Sequence, residues 1–175
     1  MSDISSPKRE PLSLACELVG RYQYNFSKIE RALDVGIARA LDLNEGAALI
    51  VCANMDLKKK IDTVKSIIRL QFNDEDRSIE KLLNKISGIN SPDRQTVIHS
   101  SFESNGDDGV TFTRIVARGE LEKKPIIWTL KDFENNFSKM EKAAVELEKL
   151  VQNLKPYVPS LDFSDPRNSM YLGIL

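Results

Sequence analysis

Three observations predict a mainly α protein, an up-and-down bundle of four to five helices with a small β-hairpin inserted before the last long helix. The first is an apolar stripe at Leu12, Ala15, Val19, Tyr22, Phe26, Ile29, Leu33, Ile37 and Ala40. Its steps of three and four place one face of a helix in a core. The second is a matching stripe near the other end, at Phe133, Phe137, Met140, Ala144, Leu147, Val151 and Leu154. The third is Val110-Thr111-Phe112-Thr113-Arg114-Ile115-Val116-Ala117, whose β-branched and aromatic residues suit a strand.

The elements follow in order. Pro11 suits the first turn of the opening helix, Asn25 or Ser27 offers a restart within it, and Asn44-Glu45-Gly46 supplies its stop. Ile50, Ala53, Leu57, Ile61, Val64 and Ile68 then predict a second long helix over Ala47–Phe72. Within it, Ala48–Ala53 is a continuous apolar run that also suits a short buried strand, followed by a shorter helix capped by Asp56.

Beyond Asn73-Asp74-Glu75-Asp76, Ile79, Leu82, Leu83, Ile86 and Ile89 predict a third helix. Ser91-Pro92-Asp93 combines an N-cap, a first-turn proline and an acid, so a short new helix begins there with Val97, Ile98 and Phe102 as its apolar residues. A turn at Arg118-Gly119 and the return segment Pro125-Ile126-Ile127-Trp128 complete the hairpin, with Trp128 as a packing residue. Thr129-Leu130-Lys131-Asp132 has the form of a capping box and opens the final helix. Pro156 and Pro159 stop it.

One helical domain is therefore expected over residues 12–155, between a flexible N-terminal segment, 1–11, and a C-terminal tail, 156–175. The tail ends in the apolar run Met170-Tyr171-Leu172-Gly173-Ile174-Leu175, expected to pack back on the domain or to dock on a partner. With 25 basic and 26 acidic side chains, bulk charge holds the protein to no nucleic acid, and any RNA contact is local. No DNA partner is expected. Cys16 and Cys52 form no C-x-x-C pair and read as reduced core or boundary residues. The segment after Met1 lacks a signal-like apolar stretch and no span approaches ~20 apolar residues, so a cytoplasmic protein without membrane contact is expected.

The chain has a single histidine, His99, and Arg94 stands five residues before it. Imidazole is the side chain whose ordinary pKa, about 6.5, lets it give and take protons near neutrality, and guanidinium is a permanent cation suited to phosphate. Such a pair can serve the cleavage of RNA. Residues five apart on a helix differ by about 140°, so the two converge only at a loosening last turn or across a two-fold axis between chains. A lone histidine near a helix end also serves as a carbonyl cap or boundary residue.

Two long helices, a third leading into Arg-x-x-x-x-His and a final long helix resemble the HEPN superfamily over roughly Leu12 to Leu154. The resemblance implies a metal-independent endoribonuclease, commonly dimeric, in which Arg94 and His99 are the catalytic pair and no cofactor or metal takes part. Gln95, where active members usually carry Asn, Asp or His, would orient the phosphate, and Asp93 immediately precedes the arginine. Glu30 on the first helix would support Arg94. Lys58 and Lys59, with Lys60, Lys65 and Arg69, would guide RNA. The resemblance further implies a bacterial defence or toxin setting, a homodimer and a neutralising or regulatory protein partner. The competing expectation is a non-catalytic helical bundle acting as a protein–protein interaction module. No phosphate-binding glycine loop, nucleophile elbow or calcium loop occurs in the chain.

Overall fold

The structure, a computed structural model, describes residues 10–72, 77–89, 92–118 and 120–156, with side chains left undescribed at 72, 77–78, 92–94, 116–118 and 120–122. The turn at Gly119, the N-cap at Ser91, the acidic run at 73–76, the N-terminal segment before Glu10 and the tail beyond Pro156 lie outside the described residues.

The protein is mainly helical, with a small antiparallel sheet before the last helix. The first helix, α1 (Pro11–Ala40), begins with Pro11 at its first position and runs unbroken for 30 residues. Neither Asn25 nor Ser27 restarts it. Asn25 is buried within the helix, and the Ser27 hydroxyl donates to the Tyr24 carbonyl at 2.8 Å. Its stripe from Ala15 to Ala40 is buried as expected, whereas Leu12 is 61% exposed because it occupies the first turn, beyond the reach of the core.

The single helix expected over Ala47–Phe72 is instead two: α2 (Glu45–Ala53) and α3 (Leu57–Phe72). The break has a local cause. The Asn54 amide donates back to the Ile50 carbonyl at 2.8 Å, and the Asp56 carboxylate accepts the Lys59 N–H at 2.8 Å, so polar side chains terminate one helix and start the next. Asn44 caps α2 by accepting from the Ala47 N–H at 2.9 Å, so the residue read as a stop is also a start. Leu57, Ile61, Val64 and Ile68 enter the core as expected, but Ile50 is 70% exposed.

After α4 (Arg77–Ile89), the short α5 (Pro92–His99) ends at the histidine. Phe102 belongs not to that helix but to β1 (Ser101–Ser104), which pairs antiparallel with β2 (Gly109–Arg118). The expected two-stranded hairpin is thus a three-stranded sheet in the order β1-β2-β3, with β3 at Glu120–Thr129. Pro125 is tolerated because β3 is an edge strand and needs no outward N–H donor.

Helix α6 (Leu130–Asn153) starts at the predicted capping box: Thr129 accepts the Asp132 N–H, and the Asp132 carboxylate accepts the Thr129 N–H at 2.8 Å. A bond from the Thr129 hydroxyl at 2.7 Å, and then that from the Thr129 N–H, hold the Asp132 carboxyl below the usual carboxylate range. A depressed carboxyl stabilises the fold above its ordinary pKa and loses that contribution as pH falls through the folded value. The urea midpoint of the wild type should therefore fall more steeply on acidification than that of Asp132→Asn. Parallel acid limbs would refute the role of the box; because Asp132 is exposed, the effect is small.

All of the α6 stripe is buried. Arg21 pairs with Glu141 at 3.4 Å while Gly36 lies against Val151, so α1 and α6 run in the same direction. Arg69 pairs with Glu80 at 2.6 Å and Lys65 donates to Asn84 at 2.9 Å, so α3 and α4 are antiparallel. The sheet joins the helices through Trp128, which is buried as a packing residue. Its ring centroid lies 5.4 Å from Tyr22, 5.6 Å from Phe112 and 5.1 Å from Phe133, each edge-on.

Candidate active site around the single histidine

Helix α5 is held by its inner side: Thr96 and Val97 are buried, and the helix packs against β2. Gln95 and His99 are exposed and Ile98 is 39% exposed, so the opposite side faces solvent. At about 100° per residue, positions 94 and 99 fall on either side of the outward face whose middle is formed by Gln95 and Ile98, about 7.5 Å apart along the axis. The Arg94 side chain itself is outside the described ones. His99 is the last residue of α5, followed by Ser100, whose N–H still donates to the Thr96 carbonyl at 3.2 Å, and then by β1. An imidazole placed there is open to solvent and to a substrate.

Beside α5 lies an open hollow of about 300 Å³, bordered by Ile98 and lined from α1 by Tyr22, Phe26, Ser27 and the half-buried Glu30. The structure therefore brings Glu30 to the motif helix, at the residue one turn beyond Arg94. It does not bring the lysines there. Lys58 and Lys59 are exposed on the first turn of α3, which packs at the level of Asp34, about 12 Å further along α1 than Phe26.

Nor does the cationic face continue. Lys60 is buried and ion-paired with Asp34 at 2.7 Å, Lys65 bonds Asn84, and Arg69 bonds Glu80. Three of the five cations expected to attract phosphate therefore contact neighbouring side chains.

Cys16 is exposed and Cys52 buried. Burial pushes the Cys52 thiol up, as does the Asp34 carboxylate, so this sulfur is the opposite of an activated nucleophile. Among the described residues, no group of three or more His, Cys, Asp or Glu side chains is placed to hold a metal ion, and no helix is long and apolar enough to cross a membrane.

Two further surface features carry no motif that would have flagged them. A groove of about 560 Å³ runs between α1 and α6, with Arg31 and Arg39 on one wall and Glu141 and Glu148 on the other. Helix α2 exposes Leu49 and Ile50 at 65% and 70%. Its only advance signal is the absence of any charge between Glu45 and Asp56. No family model, curated protein or solved structure matches the chain.

Proposed function

We propose that the protein is a HEPN-like, metal-independent endoribonuclease whose active residues lie on α5; its helices do not alternate strictly up and down, since α1 and α6 are parallel neighbours. The observation that supports this reading is the exposure of His99 at the end of that helix, with Gln95 on the same open side. In the proposed reaction the ribose 2′-oxygen attacks the adjacent phosphorus. A 2′-O–P bond forms and the P–O5′ bond breaks. His99 takes the proton of the 2′-hydroxyl, and a proton returns from the imidazolium to the leaving 5′-oxygen. Arg94 stabilises the phosphorane charge and Gln95 orients the phosphate. The products are a 2′,3′-cyclic phosphate and a 5′-hydroxyl.

Helical hydrogen bonding continues through Ser100, so Arg94 and His99 stay about 140° apart on α5 and the reading has the pair completed across a two-fold axis between chains, with Glu30, beside Ile98, in support. The homodimer, the neutralising protein partner, the cytoplasmic location and the setting in bacterial defence belong to the same proposal.

The test is cleavage of a mixed RNA in excess EDTA by the wild type and by His99→Ala, with matching circular dichroism. The expected result is cyclic-phosphate ends from the wild type and a loss of about 10²–10⁴-fold in the variant. Equal cleavage by both proteins would remove His99 from the chemistry. If neither cuts, the second reading prevails: a non-catalytic bundle that docks a protein partner, a role favoured by the exposed Leu49 and Ile50.

A further inference from the structure

The cations expected on α3 stand away from His99, but the sheet carries two others toward it. Strand β1 begins two residues after His99, and its register pairs Ser101 with Thr113 of β2. The Ser101 hydroxyl ties the strands at that point by donating to the Thr113 carbonyl at 3.4 Å. Because the strands are antiparallel, stepping back from Ser101 to His99 and forward from Thr113 to Arg114 leads in the same direction, past the end of β1. On its other side, Arg114 pairs directly with Lys124 of β3, one strand spacing of about 4.8 Å away.

Alternation fixes the face that both use. Arg114 follows buried Phe112 by two positions and Lys124 precedes buried Trp128 by four, so both stand on the face that carries the aromatic cluster. Helix α5 lies on that face as well. It packs against β2 and sends Val97 into the core with Val110 and Phe112, whereas Ile115 and Ile127, on the opposite face, are 60% and 58% exposed. Past the aromatic cluster the face therefore turns from apolar to cationic, and Arg114, Lys124 and His99 are all exposed. The described carboxylates of the sheet region lie elsewhere: Glu103 pairs with Thr111 on the opposite face, and Asp107, Asp108 and Asp132 stand where β2 begins and β3 ends. Like charges directly opposite in a ladder oppose the pairing, and an anion that accepts from both turns repulsion into attraction. Arg114 offers a planar fork suited to phosphate, and Lys124 a compact ammonium on a flexible stem.

We propose that Arg114 and Lys124 form a backbone-binding subsite for single-stranded RNA, holding a phosphate that neighbours the one cut at His99 of the same chain. The inference rests on the ribonuclease reading for its substrate, and it supplies the cations that α3 does not place there. Both residues hold substrate without touching the reacting atoms, so their loss appears in RNA affinity and KM and leaves the bond-making step intact.

The test uses single-stranded RNA with every 2′-hydroxyl methylated, which keeps the phosphates and removes the attacking group, so the full chain binds it without cutting. Arg114→Gln and Lys124→Gln should each weaken binding about three- to tenfold and lower the slope of log affinity against log salt by ~0.7, the share of one phosphate contact on a single strand. Arg114→Lys should keep the slope. Lys123→Gln removes the same charge from the neighbouring position on the opposite face and should change neither quantity. On unmodified RNA the two Gln variants should raise KM and hold kcat within about twofold of the wild type. Unchanged affinity and slope in both Gln variants would overturn the proposal even if His99→Ala abolishes cleavage. So would a loss in Lys123→Gln equal to theirs, which marks diffuse charge, a fall in kcat at constant KM, or a wild type that binds no RNA. The expected binding losses in a protein that cuts no RNA would instead keep the subsite and end the ribonuclease reading.

Discussion

Gly109→Ala should cost about 3–5 kcal/mol, enough to leave a domain of ordinary stability only marginally folded. Gly109 begins β2 with φ 138° and ψ −138°, a backbone conformation that side-chain-bearing residues avoid. The local packing makes it worse: a Cβ placed there would lie 2.0 Å from the Trp128 carbonyl oxygen and 3.0 Å from the Thr129 Cα. Neither is the free end of a flexible side chain. Both belong to the backbone of β3, at the register position where Gly109 pairs with Thr129, so relief requires separating β2 from β3 or lifting the start of α6. Gly106 provides the control. Its φ of 66° also favours glycine, but open space surrounds its missing Cβ, so Gly106→Ala should cost only about 1–2 kcal/mol. Urea unfolding of the two variants beside the wild type measures both. Equal costs would mean that backbone strain alone matters at Gly109 and that the close approach of β3 does not.

How far this architecture was legible depends on whether burial followed local spacing. The stripes of α1 and α6 have many members, and a pattern of that length admits one period, so both helices were readable along with the Thr129 to Asp132 cap. The division of α2 from α3 entered only as an alternative, a short strand followed by a helix capped by Asp56, because Ile50, Ala53 and Leu57 keep helical spacing across it. The signal lay in the polar residues between, Asn54 and Asp56, whose side chains bond to the backbone and end and start helices. Strand β1 was hidden for another reason. Ser101-Phe102-Glu103-Ser104 holds one apolar residue, which fits a helix stripe and a strand face equally, and only pairing with β2 decides between them.

The site divides in the same way. His99 stood out because it is the chain's one histidine, and the structure leaves it exposed at the end of α5. That Glu30 lines the hollow beside α5 while Lys58 and Lys59 stand further along α1 follows from the packing of separate helices, which no local spacing encodes. The burial of Lys60 is likewise a tertiary fact: a run of three lysines reads as a solvated face until one finds Asp34 on another helix. Ile50 errs in the opposite direction, since its spacing matched a core position that the break after Ala53 turned outward.

Phe133→Ala should be the most damaging simple truncation in the core, at about 3–5 kcal/mol. The ring is fully buried at the junction of the sheet and the helices. Its centroid lies 5.1 Å from Trp128, 5.9 Å from Phe137 and 6.4 Å from Phe112. Each well-placed aromatic pair is worth about 0.5–1.5 kcal/mol beyond its buried area, and three are lost at once. The neighbours cannot collapse to fill the space, because Trp128 and Phe112 are fixed by strand register and Phe137 by the capped helix below it. The change should also reach α5, which packs on β2, so the variant should lose protection of the α5 and β2 amides from hydrogen exchange before that of mid-α1. If protection falls uniformly, the sheet and the helices unfold as one unit, and the aromatic cluster is not a separable joint. If α5 and β2 lead, the positioning of His99 depends on Phe133 through the sheet. Lowering the temperature should then recover the exchange protection and, under the proposed ribonuclease reading, the RNA cleavage together with it.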